Sequence, residues 1–292
     1  VGAVRLAPPA AADLQILRSA KDRSSVVRRN PGASLVDLGD GVLCVEFHSK
    51  MNAMGGDTID MLTAGVKVAE SDFAGLVVGN DAPNFSAGAN LMLLLLEAQE
   101  GNWEDVDLMV RAFQRATLGL KYAAVPVVVA PAGLTLGGGC EIALHGHRVQ
   151  AAAETYMGLV EVGVGLIPAG GGTKEMVARA SADVPPTADL LPYLQRVFET
   201  IGFGRVSSSG LDAKRLGYLR EADAITMNRE RLLADAKTEA LARAASYVPP
   251  QPPVVRAGGE GAYAALKLGV HLAWRAGRIS DHDALIGRKL AG

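Results

Sequence analysis

The chain has few cysteines and no marked excess of charge of either sign. Its only cysteines, Cys44 and Cys140, lie too far apart in sequence for a CxxC metal-binding pair, and two thiols make no disulfide framework. The 29 Lys and Arg side chains face 31 Asp and Glu, which leaves no basic excess for binding a nucleic-acid backbone. We therefore expect a protein of a reducing cytoplasm that has no nucleic-acid partner.

Long hydrophobic runs without breaks are also missing. The longest uncharged run, 122–140, contains Pro126, Pro131 and four glycines, which is typical of a strand, a turn and a Gly-rich loop. No signal-peptide pattern opens the chain. We predict no membrane span. Because residue 1 is Val1 rather than Met, we interpret the sequence as a piece of a longer protein; the alternative is a processed mature protein, which also begins without Met.

What the chain does have is an alternation of strand and helix patterns. Apolar or β-branched runs predict strands at 41–49, 73–80, 125–130 and 148–153. Between them, apolar residues at helical spacing predict an amphipathic helix over 103–121; they are Val106, Met109, Val110, Phe113 and Leu120. The pattern predicts an α/β core with buried strands.

Composition suggests three regions. Residues 1–30 read as a linker or interdomain segment, whose basic cluster we interpret as solvated surface. Residues 31–184 form the predicted core. Residues 185–292 read as a helical region, with helices around 230–245 and 262–276, a Pro-rich break at 248–253, and a capping box from Ser280 to Asp283.

Three glycine-bearing loops stand out, at 85–90, 136–141 and 168–174. None fits a dinucleotide fingerprint or a P-loop. The middle loop joins a predicted strand to a predicted helix, where free backbone amides can stabilise an anion or a developing oxyanion beside Glu141. The alternative is that the glycines only allow tight packing while Glu141 caps the helix. Physical reasoning leaves both interpretations open.

Other reactive side chains give weaker patterns. The five histidines fit neither HExxH nor a Ser-His-Asp arrangement, and Ser86 lacks the GxSxG turn. We interpret Ser86 as structural, and Cys140 at the predicted helix start either as a reactive thiol or as packing.

Four segments, in this order, resemble the crotonase (enoyl-CoA hydratase/isomerase) superfamily; they are 47–54, 85–91, 136–141 and 157–168, the last followed by a triple glycine. Residues 31–40, 156–168 and 198–201 also resemble the hydratase-like C-terminal half of bacterial bifunctional 3-hydroxyacyl-CoA dehydrogenases, whose N-terminal half binds NAD. This resemblance implies a crotonase-like spiral of ββα turns followed by a helical C-terminal region. It also implies trimers or hexamers and NAD binding only in the other half.

The resemblance implies a hydratase of 2-enoyl-CoA thioesters in fatty acid β-oxidation, with no bound cofactor, since coenzyme A is part of the substrate. Glu141 and Glu161 match the two catalytic glutamates. The backbone amides of Ala89 and Gly138 match the oxyanion hole that stabilises the enolate. The implied substrate-binding residues are Ala87, Gly88, Asn90, Leu91 and Gly137.

Two alternatives stay open: a Δ3-Δ2-enoyl-CoA isomerase, which resembles the chain only at Glu161, and a non-catalytic acyl-CoA-binding and oligomerisation module. The chain departs from the superfamily pattern at Val160, often Pro, and at Asn90, often Asp. The run 91–96 is unusually apolar; we favour a buried core helix there over a wall for a long acyl chain.

Overall fold

Nine strands and eleven α-helices form the part of the chain that the computed structural model describes, residues 14–22 and 25–292. The strands are β1 (Val26–Arg29), β2 (Ala33–Asp37), β3 (Val42–Phe47), β4 (Gly75–Gly79), β5 (Val127–Ala130), β6 (Gly133–Leu136), β7 (Arg148–Ala152), β8 (Thr155–Gly158) and β9 (Ala224–Thr226). The α-helices are α1 (Leu17–Asp22), α2 (Gly56–Asp72), α3 (Leu91–Glu100), α4 (Trp103–Lys121), α5 (Gly138–His145), α6 (Gly172–Ala182), α7 (Leu191–Gly202), α8 (Gly210–Leu216), α9 (Leu232–Ala244), α10 (Gly259–Arg275) and α11 (Asp281–Ala291). Three 3₁₀ helices lie between them: η1 (Lys50–Asn52), η2 (Glu161–Val164) and η3 (Arg229–Arg231).

The main sheet has seven strands in the order β1-β2-β3-β4-β5-β7-β9. Strands β1 to β3 pair antiparallel, and the pairs from β3 through β9 are parallel. All residues of β3, β4 and β5 are buried. Strands covered on both faces need continuous apolar runs, which is why these three were predictable from the sequence.

Successive turns of the chain distribute their strands between two sheets. Strands β5 and β7 pair in the main sheet, whereas β6 and β8, which follow them, pair parallel in a second sheet of two strands. Helix α5 follows β6, and η2 follows β8. Each turn therefore places the start of its helix at the end of the two-stranded sheet. This is the expected spiral.

The alternation of side chains along β3 builds two cores. Leu43 and Val45 belong to a cluster with Met61 and Leu62 of α2 on one face. Val42 and Cys44 belong to a second cluster, on the other face, that contains Leu233, Ala236 and Ala240 of α9. A period of two along a strand sends neighbours to opposite faces, so both faces of the sheet are covered.

The predicted strands and the 103–121 helix are confirmed, while two further strands correct the expectations for the flanking regions. Strand β1 lies inside the segment expected to be a linker, and β9 lies in the region expected to be only helical. All four residues of β1 are exposed at the sheet edge, and β9 has three residues. Neither can carry a strong apolar pattern. Residues 1–13, 23 and 24, including Arg5 and Arg23 of the basic cluster, lie outside the described residues.

The interpretation of 91–96 as a buried core helix is wrong. The segment is helical, as part of α3, but α3 has no buried residue, and Met92 is 62% exposed. The helix contacts mainly α4, which leaves most of its leucines on the surface.

The C-terminal helices follow the predicted order. The Ser280 side chain accepts from the Asp283 amide at 3.1 Å and the Asp283 carboxylate accepts from the Ser280 amide at 3.0 Å, which confirms the capping box. The Pro-rich segment 248–253 has no regular structure and separates α9 from α10. Among the described helices, none has the length and apolar character needed to cross a membrane.

Candidate active site

The first oxyanion segment, 85–91, is held by backbone bonds on both sides. Met54 donates its amide to Gly88 O and accepts from the Asn90 amide, both at 2.8 Å. The Ser86 hydroxyl donates to Asn52 O at 2.8 Å and accepts from the Gly88 amide at 3.0 Å. Within the described structure, the intervening Ala89 amide donates to no protein acceptor, so it is free to bind a ligand.

The second oxyanion segment begins α5. Gly137 has φ 51° and ψ −123°, a backbone conformation that favours glycine, and its amide donates to Gly158 O at 2.8 Å. The next residue, Gly138, is the first of the helix, where an amide has no intrahelical partner. A Cβ atom placed on Gly88 would lie 3.7 Å from Gly138 N, so the two segments are in contact.

Glu141 lies one turn into α5 and is 2% exposed. Its Oε1 accepts from the Gly172 amide at 2.8 Å. Burial raises the pKa of Glu141 to about 7, although hydrogen bonds from the Gly172 and Gly170 amides lower it in part. Gly171 and Gly172 begin α6, so the triple glycine brings a helix N-terminus to the Glu141 carboxylate.

Glu161 is the first residue of η2, directly after β8. Its Oε1 lies 3.2 Å from where a Cβ of Gly137 would be, while its Oε2 is buried and, within the described structure, has no hydrogen-bond partner. Burial, followed by the charge of Glu141, raises the pKa of Glu161 to about 8. The structure therefore brings both predicted glutamates to the Gly137–Gly138 corner.

The predicted substrate-binding residues fall into two groups. Gly88 and Gly137 are buried and face each other, with Gly88 Cα 3.6 Å from the position of a Gly137 Cβ. Ala87 is half-buried and donates its amide to Met51 O at 3.1 Å. Asn90 and Leu91 are exposed at the start of α3, where the Asn90 side chain caps the helix by accepting from the Met92 amide at 3.3 Å. The Asn90 departure thus has a structural use.

Sequence reasoning missed Phe113. Its ring lies 3.2 Å from the position of a Cβ on Gly138 and 2.3 Å from that of one on Gly170, so it fills the space between the two glycine loops. Phe113 appeared in the sequence only as one apolar position of an amphipathic helix. The glycines on either side of it were the available signal.

The remaining reactive groups have structural partners. His145 Nδ1 bonds Glu141 O at 2.7 Å, and burial lowers the pKa of His145 to about 4. Cys140 is fully buried beside both glutamates, and burial raises the pKa of its thiol, so it is not a reactive thiolate. In the described part of the chain, no group of three or more His, Cys, Asp or Glu side chains could hold a metal ion.

Residues 37–183 match the sequence family described as enoyl-CoA hydratase/isomerase. This match covers half of the chain and includes every residue of the site. The chain belongs to the enoyl-CoA hydratase/isomerase family. Val160, at the position where this family often has Pro, precedes Glu161 with φ −111°, outside the range that proline adopts.

Relatives within the family include larger proteins. A probable 3-hydroxyacyl-CoA dehydrogenase of Bacillus subtilis (strain 168) is 45% identical over 276 residues, which are 94% of this chain and 35% of the relative. The fatty acid oxidation complex subunit alpha of Shewanella amazonensis is 33% identical over 155 residues, 52% of this chain and 21% of that relative. The chain spans about a third or less of the length of these relatives.

Solved structures share the fold. An enoyl-CoA hydratase from Bacillus halodurans has a TM-score of 0.63 at 14% identity, covering 89% of this chain and 94% of the other. One from Bacillus anthracis has a TM-score of 0.59 at 20% identity and covers 89% of each chain. At these identities the similarity establishes the crotonase-like α/β fold.

Proposed function

We propose that this chain adds water to 2-enoyl-CoA thioesters to give 3-hydroxyacyl-CoA. The observation that carries the proposal is the convergence of two desolvated carboxyls with raised pKa values, those of Glu141 and Glu161, on a corner that also presents the amides of Ala89 and Gly138. Addition of water needs a base for the water proton and an acid for the carbon next to the carbonyl.

The surroundings of the two carboxyls support a division of roles. Within the described structure Glu161 Oε2 has no hydrogen-bond partner, and desolvation and the charge of Glu141 raise the pKa of Glu161. Glu141 accepts a hydrogen bond from the Gly172 amide, which favours its ionised form. When the pair carries one proton, that proton resides on Glu161. Glu141 is then the base and Glu161 the acid.

In the proposed reaction, Glu141 takes a proton from water as the water oxygen forms its bond to C3. The C2–C3 π electrons move toward the thioester and place negative charge on its carbonyl oxygen. The amides of Ala89 and Gly138 stabilise that charge, and each preorganised donor of this kind contributes about 3 kcal/mol. The enolate then collapses and takes the proton of Glu161 at C2.

We also propose that the chain is the hydratase part of a larger 3-hydroxyacyl-CoA dehydrogenase of fatty acid β-oxidation in the cytoplasm, assembled as trimers or hexamers. Its similarity to the Bacillus subtilis dehydrogenase supports this assignment. Coenzyme A enters as part of the substrate, and NAD binds to another part of the protein. The exposed leucines of α3, which begins beside Ala89, offer an apolar surface to the acyl chain.

The test is hydration of crotonyl-CoA and of longer 2-enoyl-CoA substrates. The reaction is monitored as the loss of absorbance of the conjugated thioester. Glu141→Gln and Glu161→Gln should each lower kcat at least about 100-fold, because each removes a proton-transfer group. Glu154→Gln changes an exposed glutamate of the same region and should leave kcat unchanged. Circular dichroism checks that each variant is folded.

Three outcomes contradict the proposal. An unchanged rate in either active-site variant removes that glutamate from the mechanism. Conversion of 3-enoyl-CoA that depends on Glu161 and not on Glu141 indicates the isomerase instead. Binding of acyl-CoA without turnover at any chain length indicates a non-catalytic module.

A further inference from the structure

A cleft of about 470 Å³ lies at the C-terminal end of α5, away from the helix turn that carries Glu141. We call it the basic cleft; it is lined by the end of α5, the start of β7, the end of α9 and the segment that follows α9. Its charged and aromatic lining residues are Lys121, His145, His147, Arg148, Glu175, Arg220, Arg243 and Tyr247. The cleft shares none of the residues of the proposed hydratase mechanism.

The lining carries more positive than negative charge. Four cationic side chains, those of Lys121, Arg148, Arg220 and Arg243, face it together with a single carboxylate, Glu175. The histidines add no charge at neutral pH, because burial lowers the pKa of His145 and of His147 to about 4.

Two of the four cations have full sets of partners. Lys121 Nζ pairs with Glu175 Oε1 at 2.5 Å. Arg220 pairs with the Asp223 carboxylate at 3.1 Å and donates to the carbonyls of Gly146 and His147 at 3.0 and 2.8 Å. These carbonyls lie just beyond α5, so Arg220 has a structural role there.

The other two cations share one carboxylate. Arg243 Nε pairs with Glu239 Oε1 at 2.6 Å, and Arg148 Nε lies 3.9 Å from the same oxygen. Arg148 Nε is buried and, in the part of the chain that the structure describes, makes no hydrogen bond. Burial, followed by the charges of Arg243 and Arg220, lowers the pKa of Arg148, while Asp223 and Glu239 raise it in part. Asp223, the other carboxylate that acts on Arg148, already pairs with Arg220, so the three arginines share two carboxylates and positive charge is in excess.

We propose that the basic cleft binds a phosphate-class dianion, such as a diphosphate group, through Arg148 and Arg243. Guanidinium groups present planar forks of N–H donors that match phosphate oxygens in pairs. A bound anion would supply negative charge beside the two guanidinium groups. The cleft volume falls in the range typical of small-ligand sites. The proposal does not rest on the hydratase function.

Isothermal titration calorimetry with inorganic pyrophosphate at constant ionic strength tests the proposal. Arg148→Gln and Arg243→Gln should each raise the Kd about tenfold or more, as expected for loss of a charge-assisted hydrogen bond. Arg278→Gln, which removes an exposed arginine after α10, should bind as the unmodified chain does. Arg243→Lys should retain part of the affinity, because it keeps the charge. If Arg148→Gln does not fold, Arg243→Gln and Arg243→Lys decide.

The same titration with ADP separates the sources of the phosphate group. Tighter binding of ADP than of pyrophosphate indicates a nucleotide ligand, and the reverse order indicates an inorganic anion; each supports the cleft if the arginine variants weaken it. Absence of binding at millimolar pyrophosphate, equal affinity in all variants, or displacement of pyrophosphate by acetyl-CoA, which would place it at the thioester site, overturns the proposal.

Discussion

At the scale of single residues, the two glutamates define the chemistry through their shifted ionisation. Burial raises the pKa of Glu141 to about 7 and that of Glu161 to about 8. An unperturbed glutamate has a pKa near 4.5, so two ordinary carboxyls would both be charged at neutral pH and neither could act as an acid. Desolvation therefore favours a pair that keeps a proton near neutral pH.

This ionisation predicts a bell-shaped dependence of kcat/KM on pH for the hydration of crotonyl-CoA. Below about pH 7 both carboxyls are protonated and the base is lost; above about pH 8 both are ionised and the acid is lost. The maximum should therefore lie between about pH 7 and 8, measured by initial rates at low substrate concentration. A rate that stays flat from about pH 6 to 9 would contradict the shifted pair.

At the scale of elements, the loop that enters α6 must approach Glu141 without side chains. A Cβ on Gly170 would lie 2.3 Å from Phe113 Cε1 and 2.6 Å from Glu141 Oε2. Gly170→Ala should displace the ring or the carboxylate and lower kcat by about 100-fold, as small misplacements of catalytic groups do. Steady-state kinetics measure the effect.

Gly163→Ala is the matched control for this substitution. Gly163 lies in η2, two residues after Glu161, and a Cβ there would meet no heavy atom within 4 Å. Its activity should equal that of the unmodified chain. Equal activities of Gly170→Ala and Gly163→Ala would show that the close approach to Glu141 is dispensable.

The elements also show how far the sequence leads. Strands β4 and β5 are predictable because burial on both faces demands continuous apolar runs. The exposure of α3 could not be predicted, because an apolar composition favours burial but does not show whether the fold places another element against the helix. The edge strand β1 could not be predicted, because its positions are exposed and can hold charged residues such as Arg28 and Arg29, which give no apolar pattern.

The candidate site was less predictable than the fold. Physical reasoning from the sequence left Glu141 open between a helix cap and a catalytic group, and gave no reason to pair it with Glu161. The two residues start in different turns of the chain and meet only because β6 and β8 pair side by side. The pairing of β6 with β8 joins segments far apart in sequence, so local patterns do not predict it. Only the resemblance to a known superfamily predicted that Glu141 and Glu161 act together.

At the scale of the whole molecule, the C-terminal region follows the core in sequence and also contributes a strand and a helix to it. Strand β9 extends the main sheet, and α9 covers the face opposite α2 with Leu233, Ala236 and Ala240. The sheet is thereby enclosed. Glu141 is buried against the glycine loop that enters α6, which is a solvent-poor setting. Such a setting stabilises the neutral carboxyl and raises its pKa. Ionisation of the carboxyl therefore lowers the free energy of unfolding of the protein.

This coupling predicts that Glu141→Gln stabilises the protein more at alkaline than at acidic pH. The pKa of Glu141 is about 7 in the folded chain against the ordinary value of 4.5, so the folded state binds its proton more tightly. Stability is therefore lost as pH rises through this interval, on the order of 2 kcal/mol between about pH 5 and pH 8. The variant has no such proton to lose.

The measurement is the difference in free energy of unfolding between Glu141→Gln and the unmodified chain, from urea titrations at about pH 5 and pH 8. His145 and His147, whose lowered pKa values act in the opposite sense below about pH 6.5, are common to both proteins and cancel in the difference. Altered hydrogen bonding to Gly172 in the variant contributes equally at both pH values. A difference that does not grow with pH would mean that Glu141 ionises as freely in the folded chain as in the unfolded one, and the acid/base assignment would lose its physical basis.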